Sequence, residues 1–231
     1  QVKLKEKEMA NKLQIEKISA PKISSDKDNL AVEIREKSLV PRFSAIVLDE
    51  VKIKESPSFM RERLEKVGIR PLNNIVDITN YLMIDKGQPM HAFDFEKIKG
   101  AKMILRESRD GEKITTLDNA QRVLPQGVIV IEDGAGRLID LCGIMGAKNS
   151  EIDEKTRKVL LFVQVYDPIR IRKASMTLGH RTEAALRFEK GIDFEGVLPA
   201  LWEATALAQK YAGAKISSRL IDIVNEKQKT K

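Results

Sequence analysis

The chain has 231 residues, 42% hydrophobic and 32% charged, a balance typical of a folded globular protein rather than a disordered one. One cysteine excludes an internal disulfide, and with two histidines it argues against a structural zinc site. The formal net charge of +7 permits contact with nucleic acid without indicating it. No apolar run approaches about 18 residues, so we expect no membrane span, and the first residues lack a signal-peptide pattern. The single cysteine suits a reducing cytoplasm, where we expect the protein to be.

The first part of the chain contains a predicted exposed helix, a linker and two strands. The helix is expected at residues 3–17, where apolar residues lie among charges, and the Ser/Pro/Asp-rich residues 19–29 predict the linker. Alternating or apolar segments predict strands over 30–34 and 43–53. A further helix is predicted over 57–67, with Ser56 as its N-cap and Gly68 at its end.

A second helix is predicted over residues 73–86, because apolar residues recur there at helical spacing and Gly87 ends the pattern. The same helix carries Asp77, Thr79 and Asn80, and a Gly-Gln-Pro turn then leads to His91. Packing alone does not account for that many hydrogen-bonding groups in one short segment.

The rest of the chain predicts hairpins followed by helices, and the mostly apolar strand 158–166 is expected to be central in its sheet. The hairpin strands are expected within 102–108, 113–118, 122–124, 128–133 and 137–144. Helices are expected at 168–178, 182–190 and 195–212, and a last strand at 215–224. Helices set around antiparallel hairpins predict an α+β fold, with mixed, mainly antiparallel sheets and flanking helices.

Several catalytic motifs are absent. The sequence has no Gly-rich phosphate loop, no G-x-S-x-G turn and no H-E-x-x-H motif. Cys142 lies in a small apolar stretch, which is typical of a buried inert thiol rather than a nucleophile. Polar groups that position a substrate and a water molecule therefore remain as the available chemistry.

Four segments together resemble the bacterial-type phenylalanyl-tRNA synthetase beta subunit. They are "VPRFSAIVLDEVKI" with "SPSFMRERLEKVGIRP", then "GIRPLNNIVDITNYLMIDKGQPMHAFDFEKI", "LCGIMGAKNSEIDEKTRKVLL" and "IRIRKASMTLGHRTEAALRFEKGID". The resemblance covers about residues 30–223, with the motifs in order and in spacing. It implies the central editing domain of that subunit, which binds the 3′ end of tRNA(Phe) and hydrolyses a wrongly attached tyrosyl ester.

The resemblance also implies domains and partners. Residues 1–29 would come from the preceding module, 30–224 would form the editing domain, as one unit or two intertwined subdomains, and 225–231 a basic tail. The expected partners are tRNA(Phe) and an alpha subunit, in a heterotetramer of two alpha and two beta chains. No cofactor or metal is expected in this domain, since ATP and Mg²⁺ would serve the whole synthetase outside this chain.

The resemblance assigns site residues by position. As catalytic residues it implies His91, which would orient water or act as a weak base, with Asn80 and Arg70. The implied substrate-binding positions are Thr79, Gly143, Gly146, Phe162, Gln164, Thr182 and Ala184.

Each assignment has a structural alternative. His91 would equally suit a core position with a hydrogen bond to the backbone, and Thr79 and Asn80 can bond the carbonyls of their own helix. Gly143 and Gly146 also suit a tight turn. Asp77 is expected to brace its helix, and the residues expected to be structural rather than functional are Arg187, Phe188 and Glu189.

Three positions depart from the family pattern: Phe162 where glutamate is usual, Ala147 where a second glycine is usual, and Ala185 where serine is usual. In the family that glutamate accepts the tyrosine hydroxyl, and Phe162 would crowd the base of the pocket. Because Gln164 points to the same side of an extended strand as Phe162, its amide is hypothesised to replace the acceptor.

Two rivals to the editing function remain open. The domain would be a non-catalytic tRNA-binding or structural module of the synthetase if Phe162 abolishes editing. It would otherwise be a free-standing relative that binds RNA.

Overall fold

The computed structural model describes residues 19–23 and 25–225. The predicted exposed helix at 3–17 and the tail beyond residue 225 lie outside this range. Among the described residues there are two five-stranded sheets, one separate hairpin and five α-helices.

The first sheet has the strand order β1-β4-β7-β8-β9. Its strands are β1 (Ala31–Ile34), β4 (Lys102–Glu107), β7 (Ile129–Asp133), β8 (Leu138–Leu141) and β9 (Met145–Gly146). The β1–β4 pair is parallel and the others are antiparallel. The separate hairpin is β5 (Glu112–Thr115) with β6 (Gln121–Leu124).

The second sheet is built around β2 and β10, which pair antiparallel along their length. Its strands are β2 (Arg42–Asp49), β3 (Met90–Asp94), β10 (Val159–Val165), β11 (Lys215–Ile216) and β12 (Ile221–Val224). The strand β10 lies between β2 and β3, and every one of its residues is buried. Its sequence "VLLFVQV" has the near-continuous apolar character expected of a strand covered on both faces. The predicted central position of this strand is confirmed.

The α-helices pack mainly on the second sheet. They are α1 (Ser58–Lys66), α2 (Asn74–Lys86), α3 (Pro168–Thr177), α4 (Glu183–Phe188) and α5 (Val197–Ala212). Helix α5 packs on β10 and β2, α2 packs on β3 and α5, and α1 packs on α2. Helices around mainly antiparallel sheets confirm the predicted α+β class.

Several sequence predictions differ from the structure in detail, and the strand β3 is not predicted from the sequence. The strand predicted over 43–53 ends at Asp49, because Glu50 has a φ of 57° and turns the chain out of extended geometry. The strand predicted over 215–224 is two short strands, β11 and β12, on the same edge of β2. Ser56 is not an N-cap: Pro57 occupies that position without a side-chain bond, and the Ser56 hydroxyl donates to Asp77 instead.

Candidate functional site

Helix α2 is fixed at its start by two side chains. Asn73 is the N-cap, and its Oδ1 accepts hydrogen bonds from the backbone N–H groups of Ile75 and Val76 at 3.1 and 3.0 Å. Asp77 is fully buried and accepts from the Ser56 hydroxyl and from the Leu72 N–H. Asp77 therefore braces the helix, as the sequence predicts, and fixes the direction in which Thr79 and Asn80 project.

His91 reaches the site through a sharp chain reversal. Gly87 ends α2 with a φ of 68°, which a side chain would strain, and β3 begins three residues later at Met90. His91 pairs across the sheet with Phe162 of β10. Its ring stands edge-on to the rings of Phe93 and Phe162, at centroid distances of 4.9 and 5.8 Å. The imidazole is thus held against an aromatic wall.

A cavity of about 410 Å³ lies between α2, β3, the turn after β8 and α4. Eight of the predicted site residues line this cavity, which we call the glycine cavity. They are Thr79, Asn80, His91, Gly143, Gly146, Gln164, Thr182 and Ala184. The structure therefore brings together residues that are more than one hundred positions apart in sequence, in a volume suited to a small ligand.

Gly143 and Gly146 leave space in the cavity wall that a side chain would fill. A Cβ on Gly146 would lie 2.1 Å from Nε2 of His91, so any side chain there would displace the imidazole. Gly143 has a φ of 68°, and a Cβ there would meet the side chain of Ile171 at 2.9 Å. A tight turn and an open cavity therefore both require glycine at positions 143 and 146, as the sequence predicts.

The two threonines serve the backbone as well as the cavity. The Thr79 hydroxyl donates to the Val76 carbonyl at 2.7 Å, which is the local alternative that its helical position suggests. Thr182 caps α4 by accepting from Ala185 N–H, and its hydroxyl donates to the Ile144 carbonyl. Their methyl groups and their second lone pairs remain the parts available to a ligand.

Gln164 is the unsatisfied polar group of the glycine cavity. Its side chain lines the cavity while the residue is only 3% exposed, and its Oε1 is buried without a hydrogen-bond partner. A buried carbonyl oxygen without a partner costs folding free energy, and a ligand that donates a hydrogen bond to it would recover that cost.

Two predicted site residues are placed elsewhere. Phe162 is fully buried, stacks on Phe43 and contacts Phe93, so its ring lies in the core behind His91 and does not line the cavity. Arg70 is exposed and does not line the cavity either, although Leu72, two residues later, does.

The three residues expected to be structural have structural contacts. Arg187 pairs with Glu183, and Glu189 pairs with Arg181. Phe188 is buried against the ring of Tyr166, with ring centroids 5.0 Å apart, and also closes one side of the cavity.

Sequence reasoning missed the ionisable group of the glycine cavity that faces His91. Asp140, on β8, lines the cavity, and its Oδ1 lies 3.9 Å from Nε2 of His91. A signal was present: Asp140 is the one acidic residue in the apolar strand "LIDL", directly before the glycine turn.

Burial shifts the pKa values of Asp140 and His91 in opposite directions. It raises the pKa of Asp140 well above its usual range, with hydrogen bonds from the Cys142 thiol and the Leu141 backbone partly opposing it. Burial also lowers the pKa of His91 to about 4, so that His91 alone is a weak base and neutral at neutral pH. Cys142 is itself fully buried with a raised thiol pKa, which agrees with the prediction of an inert thiol.

A larger cavity of about 1060 Å³ adjoins the first. The residues that line both are Leu72, Val76, Thr79, His91 and Leu117. His91 therefore stands at the junction of a small cavity and a larger one, where a ligand with a small and a large part would meet it.

The described residues show neither a metal-binding group nor a membrane-spanning helix. No group of three or more His, Cys, Asp or Glu side chains in residues 19–23 and 25–225 is arranged to hold a metal ion. Within the same residues, no helix has both the length and the apolar character that a bilayer crossing requires.

The family model for the B3/4 domain matches residues 39–213, which includes every residue of the glycine cavity. The chain belongs to the B3/4 domain family. This B3/4 domain is 40% identical over 213 residues to the phenylalanine–tRNA ligase beta subunit of Carboxydothermus hydrogenoformans, covering 91% of the chain and 27% of that protein. It is 43% identical over 197 residues to the Clostridium acetobutylicum subunit of the same name, covering 85% of the chain and 25% of that protein.

These relatives confirm the resemblance that the sequence motifs indicate. The B3/4 domain spans about a quarter of the length of the relatives that it matches. A solved N-terminal fragment of the phenylalanyl-tRNA synthetase beta subunit from Pyrococcus horikoshii superposes with a TM-score of 0.58 at 15% identity, covering 88% of this chain and 57% of that one. At that identity the match establishes the fold alone.

Proposed function

We propose that this B3/4 domain is the editing domain of a phenylalanine–tRNA ligase beta subunit and hydrolyses tyrosyl esters on tRNA(Phe). The observation that carries the proposal is the gathering of eight residues, assigned from four separate sequence segments, around one cavity, with His91 at its junction with a larger one. The side chain of the esterified amino acid suits the smaller cavity, and the terminal nucleotide of a tRNA suits the larger one.

The need for such a site follows from the limits of binding selectivity. A hydrophobic pocket for phenylalanine rejects tyrosine, which merely adds a hydroxyl, by only about 100-fold. A second pocket that hydrogen-bonds the phenol reverses the preference, because phenylalanine would leave the polar groups of the pocket unpaired. Gln164, with its unpartnered buried oxygen, is the acceptor that we assign to the phenol hydroxyl.

The reaction requires only a held water molecule and a stabilised ester oxygen. Water attacks the ester carbonyl, the bond to the ribose oxygen breaks, and a proton passes to that oxygen, releasing tyrosine and the free 3′ end. His91 would orient the water and accept its proton, while Asn80 and Arg70 would hold the ester and the tRNA end.

The wider assignments belong to the same proposal. The parent protein would act in translation in the cytoplasm, paired with an alpha subunit as two alpha and two beta chains. Phenylalanine activation with ATP and Mg²⁺ would take place in modules outside this chain.

A second candidate keeps the fold and removes the chemistry. Because Phe162 stands where the family has glutamate and packs into the core, the domain would lack that acceptor and serve as a tRNA-binding or structural module. The non-catalytic reading expects no hydrolysis of tyrosyl-tRNA, so the same assay separates the two.

The test is hydrolysis of tyrosyl-tRNA(Phe) by the full-length synthetase, wild type against His91→Ala. We expect the rate to fall by about 100-fold or more, the range over which a positioned acid–base group contributes. Phenylalanylation of tRNA should be unchanged, since that reaction belongs to other modules.

The matched control is His180→Ala, which removes the other of the two histidines. His180 does not line the glycine cavity, so its loss should leave deacylation unchanged. Equal rates for wild type and His91→Ala would refute the role of His91, and an inactive wild-type enzyme would favour the non-catalytic module.

A further inference from the structure

Asp140 is a buried carboxyl in the glycine cavity to which none of the assignments above gives a role. Its side chain is 4% exposed, and its Oδ1 lies 3.9 Å from Nε2 of His91. The two residues come from different sheets, Asp140 from β8 of the first and His91 from β3 of the second. The contact therefore bridges the two sheets at the cavity.

The backbone of the first sheet makes room for this contact. Asp140 pairs directly with Gly146 of β9, and the imidazole of His91 occupies the space that a side chain at position 146 would fill. Nε2 is the ring atom nearest to that space, at 2.1 Å from the position of a Cβ. One nitrogen of His91 is thus directed at the Asp140–Gly146 pair.

The two groups have few competing partners. Among the described residues, His91 makes no hydrogen bond with another side chain or backbone group, and Asp140 has no ion pair with lysine or arginine. Asp140 accepts hydrogen bonds from the Cys142 thiol and the Leu141 backbone, and the Cys142 thiol and the nearby Tyr166 phenol are both buried. Because an isolated buried carboxylate is costly, the imidazole is the natural partner for its charge.

We propose that Asp140 is a positioning residue that holds His91 through Nε2, so that Nδ1 is the nitrogen that accepts a proton from the attacking water. This inference rests on the proposed hydrolytic function. The arrangement is a base oriented by a third group, which fixes the tautomer of the imidazole and stabilises the imidazolium that forms.

The pair should titrate as one unit. Burial lowers the pKa of His91 to about 4 and raises the pKa of Asp140 well above its usual range. In the proposed pair, an ionised Asp140 carboxylate would stabilise the imidazolium and so oppose the first of these shifts. The other charged groups of the glycine cavity are Asp118 and Glu183, which are ion-paired with Arg122 and Arg187. The larger cavity, which His91 also lines, carries charged side chains of both signs: Lys54, Glu55, Glu151, Asp153, Glu154 and Lys155. Removing the Asp140 carboxylate should therefore move the acid limb of the rate profile to lower pH, towards that of an isolated buried histidine.

The experiment compares the full-length synthetase carrying Asp140→Asn, His91→Ala or both, with tyrosyl-tRNA(Phe) as substrate. We expect Asp140→Asn to lower kcat by about 10- to 100-fold with little change in KM, since the amide keeps the shape and loses the charge. The double variant should be no slower than His91→Ala alone, because residues that act as a unit are not additive.

The matched control is Asp222→Asn, which removes a carboxylate bound by Arg42 and Ser44 rather than by His91 and lies in neither cavity. It should leave kcat and the pH profile unchanged. If Asp140→Asn unfolds, as judged by its melting temperature, Asp140→Ala takes its place with the same expected shift in pH profile.

The outcomes are separable. An unchanged pH profile in Asp140→Asn overturns the pairing. A loss of activity on the tyrosyl ester with unchanged hydrolysis of the phenylalanyl ester overturns it too, because that pattern indicates a role in substrate recognition. An NMR titration of His91 tests the pairing without turnover: its pKa should fall in Asp140→Asn, and an unchanged pKa overturns the proposal. If the wild-type enzyme is inactive but the pKa of His91 falls in Asp140→Asn as expected, the result counts against the proposed function alone.

Discussion

At the scale of single residues, the glycine cavity depends on a missing side chain. The His91 imidazole fills the position that a Cβ of Gly146 would take, so the identity of residue 146 decides where the histidine lies. A methyl group there cannot be absorbed by a flexible neighbour, because the ring is confined by Phe93 and Phe162.

Gly146→Ala is therefore expected to destabilise the chain by about 1–3 kcal/mol, the usual cost of overpacking, and to reduce tyrosyl-tRNA hydrolysis as severely as His91→Ala. Thermal unfolding and deacylation rates measure the two effects. Gly136→Ala is the control: its φ of 78° also disfavours a side chain, but nothing lies within 4 Å of the added Cβ. That variant should lose stability and keep activity, and equal activity of both variants would contradict the role of Gly146.

Gln164 is a second residue of the cavity whose buried polar group is available to a substrate. If its amide receives the phenol hydroxyl, Gln164→Ala should lower hydrolysis of tyrosyl-tRNA by about 5- to 10-fold, the worth of one neutral hydrogen bond, and spare phenylalanyl-tRNA. Steady-state rates on the two esters give the ratio. Gln121→Ala, at an exposed position of β6, serves as the control, and unchanged tyrosyl-tRNA hydrolysis in Gln164→Ala would end the hypothesis.

At the scale of elements, α2 is the part that connects sequence to site most directly. Its cap, its buried Asp77 and its terminal Gly87 bond or turn within residues 56–87, and they define where the helix begins and ends. This is why its bounds are predictable from sequence to within a residue.

Asn73→Ala should lower the free energy of unfolding by about 1 kcal/mol, because two backbone N–H groups lose their acceptor. Urea unfolding of the chain measures this change. Asn149→Ala, an exposed asparagine outside the α-helices, should change it by less than about 0.5 kcal/mol. Equal stabilities of Asn73→Ala and wild type would mean that the cap is replaced by water.

At the scale of the whole molecule, the site forms where the two sheets meet. The second sheet contributes His91 and Gln164, and the first contributes Asp140 and Gly146. Two helices, α2 and α4, close the cavity from either side. No single element contains the site, so its electrostatics depend on the packing of the sheets.

The sequence by itself determined the fold class, the order and approximate bounds of most elements, and the family. The family resemblance of its motifs also implied eight of the residues around the cavity, whereas hydrophobic period and glycine positions predicted only the elements that carry them. The tertiary structure alone decided three points. Phe162 turns into the aromatic core rather than the cavity, Arg70 lies outside the cavity, and Asp140 faces His91 across the sheets. These are properties of strand pairing and side-chain packing between distant segments, and no local pattern records which buried groups will meet.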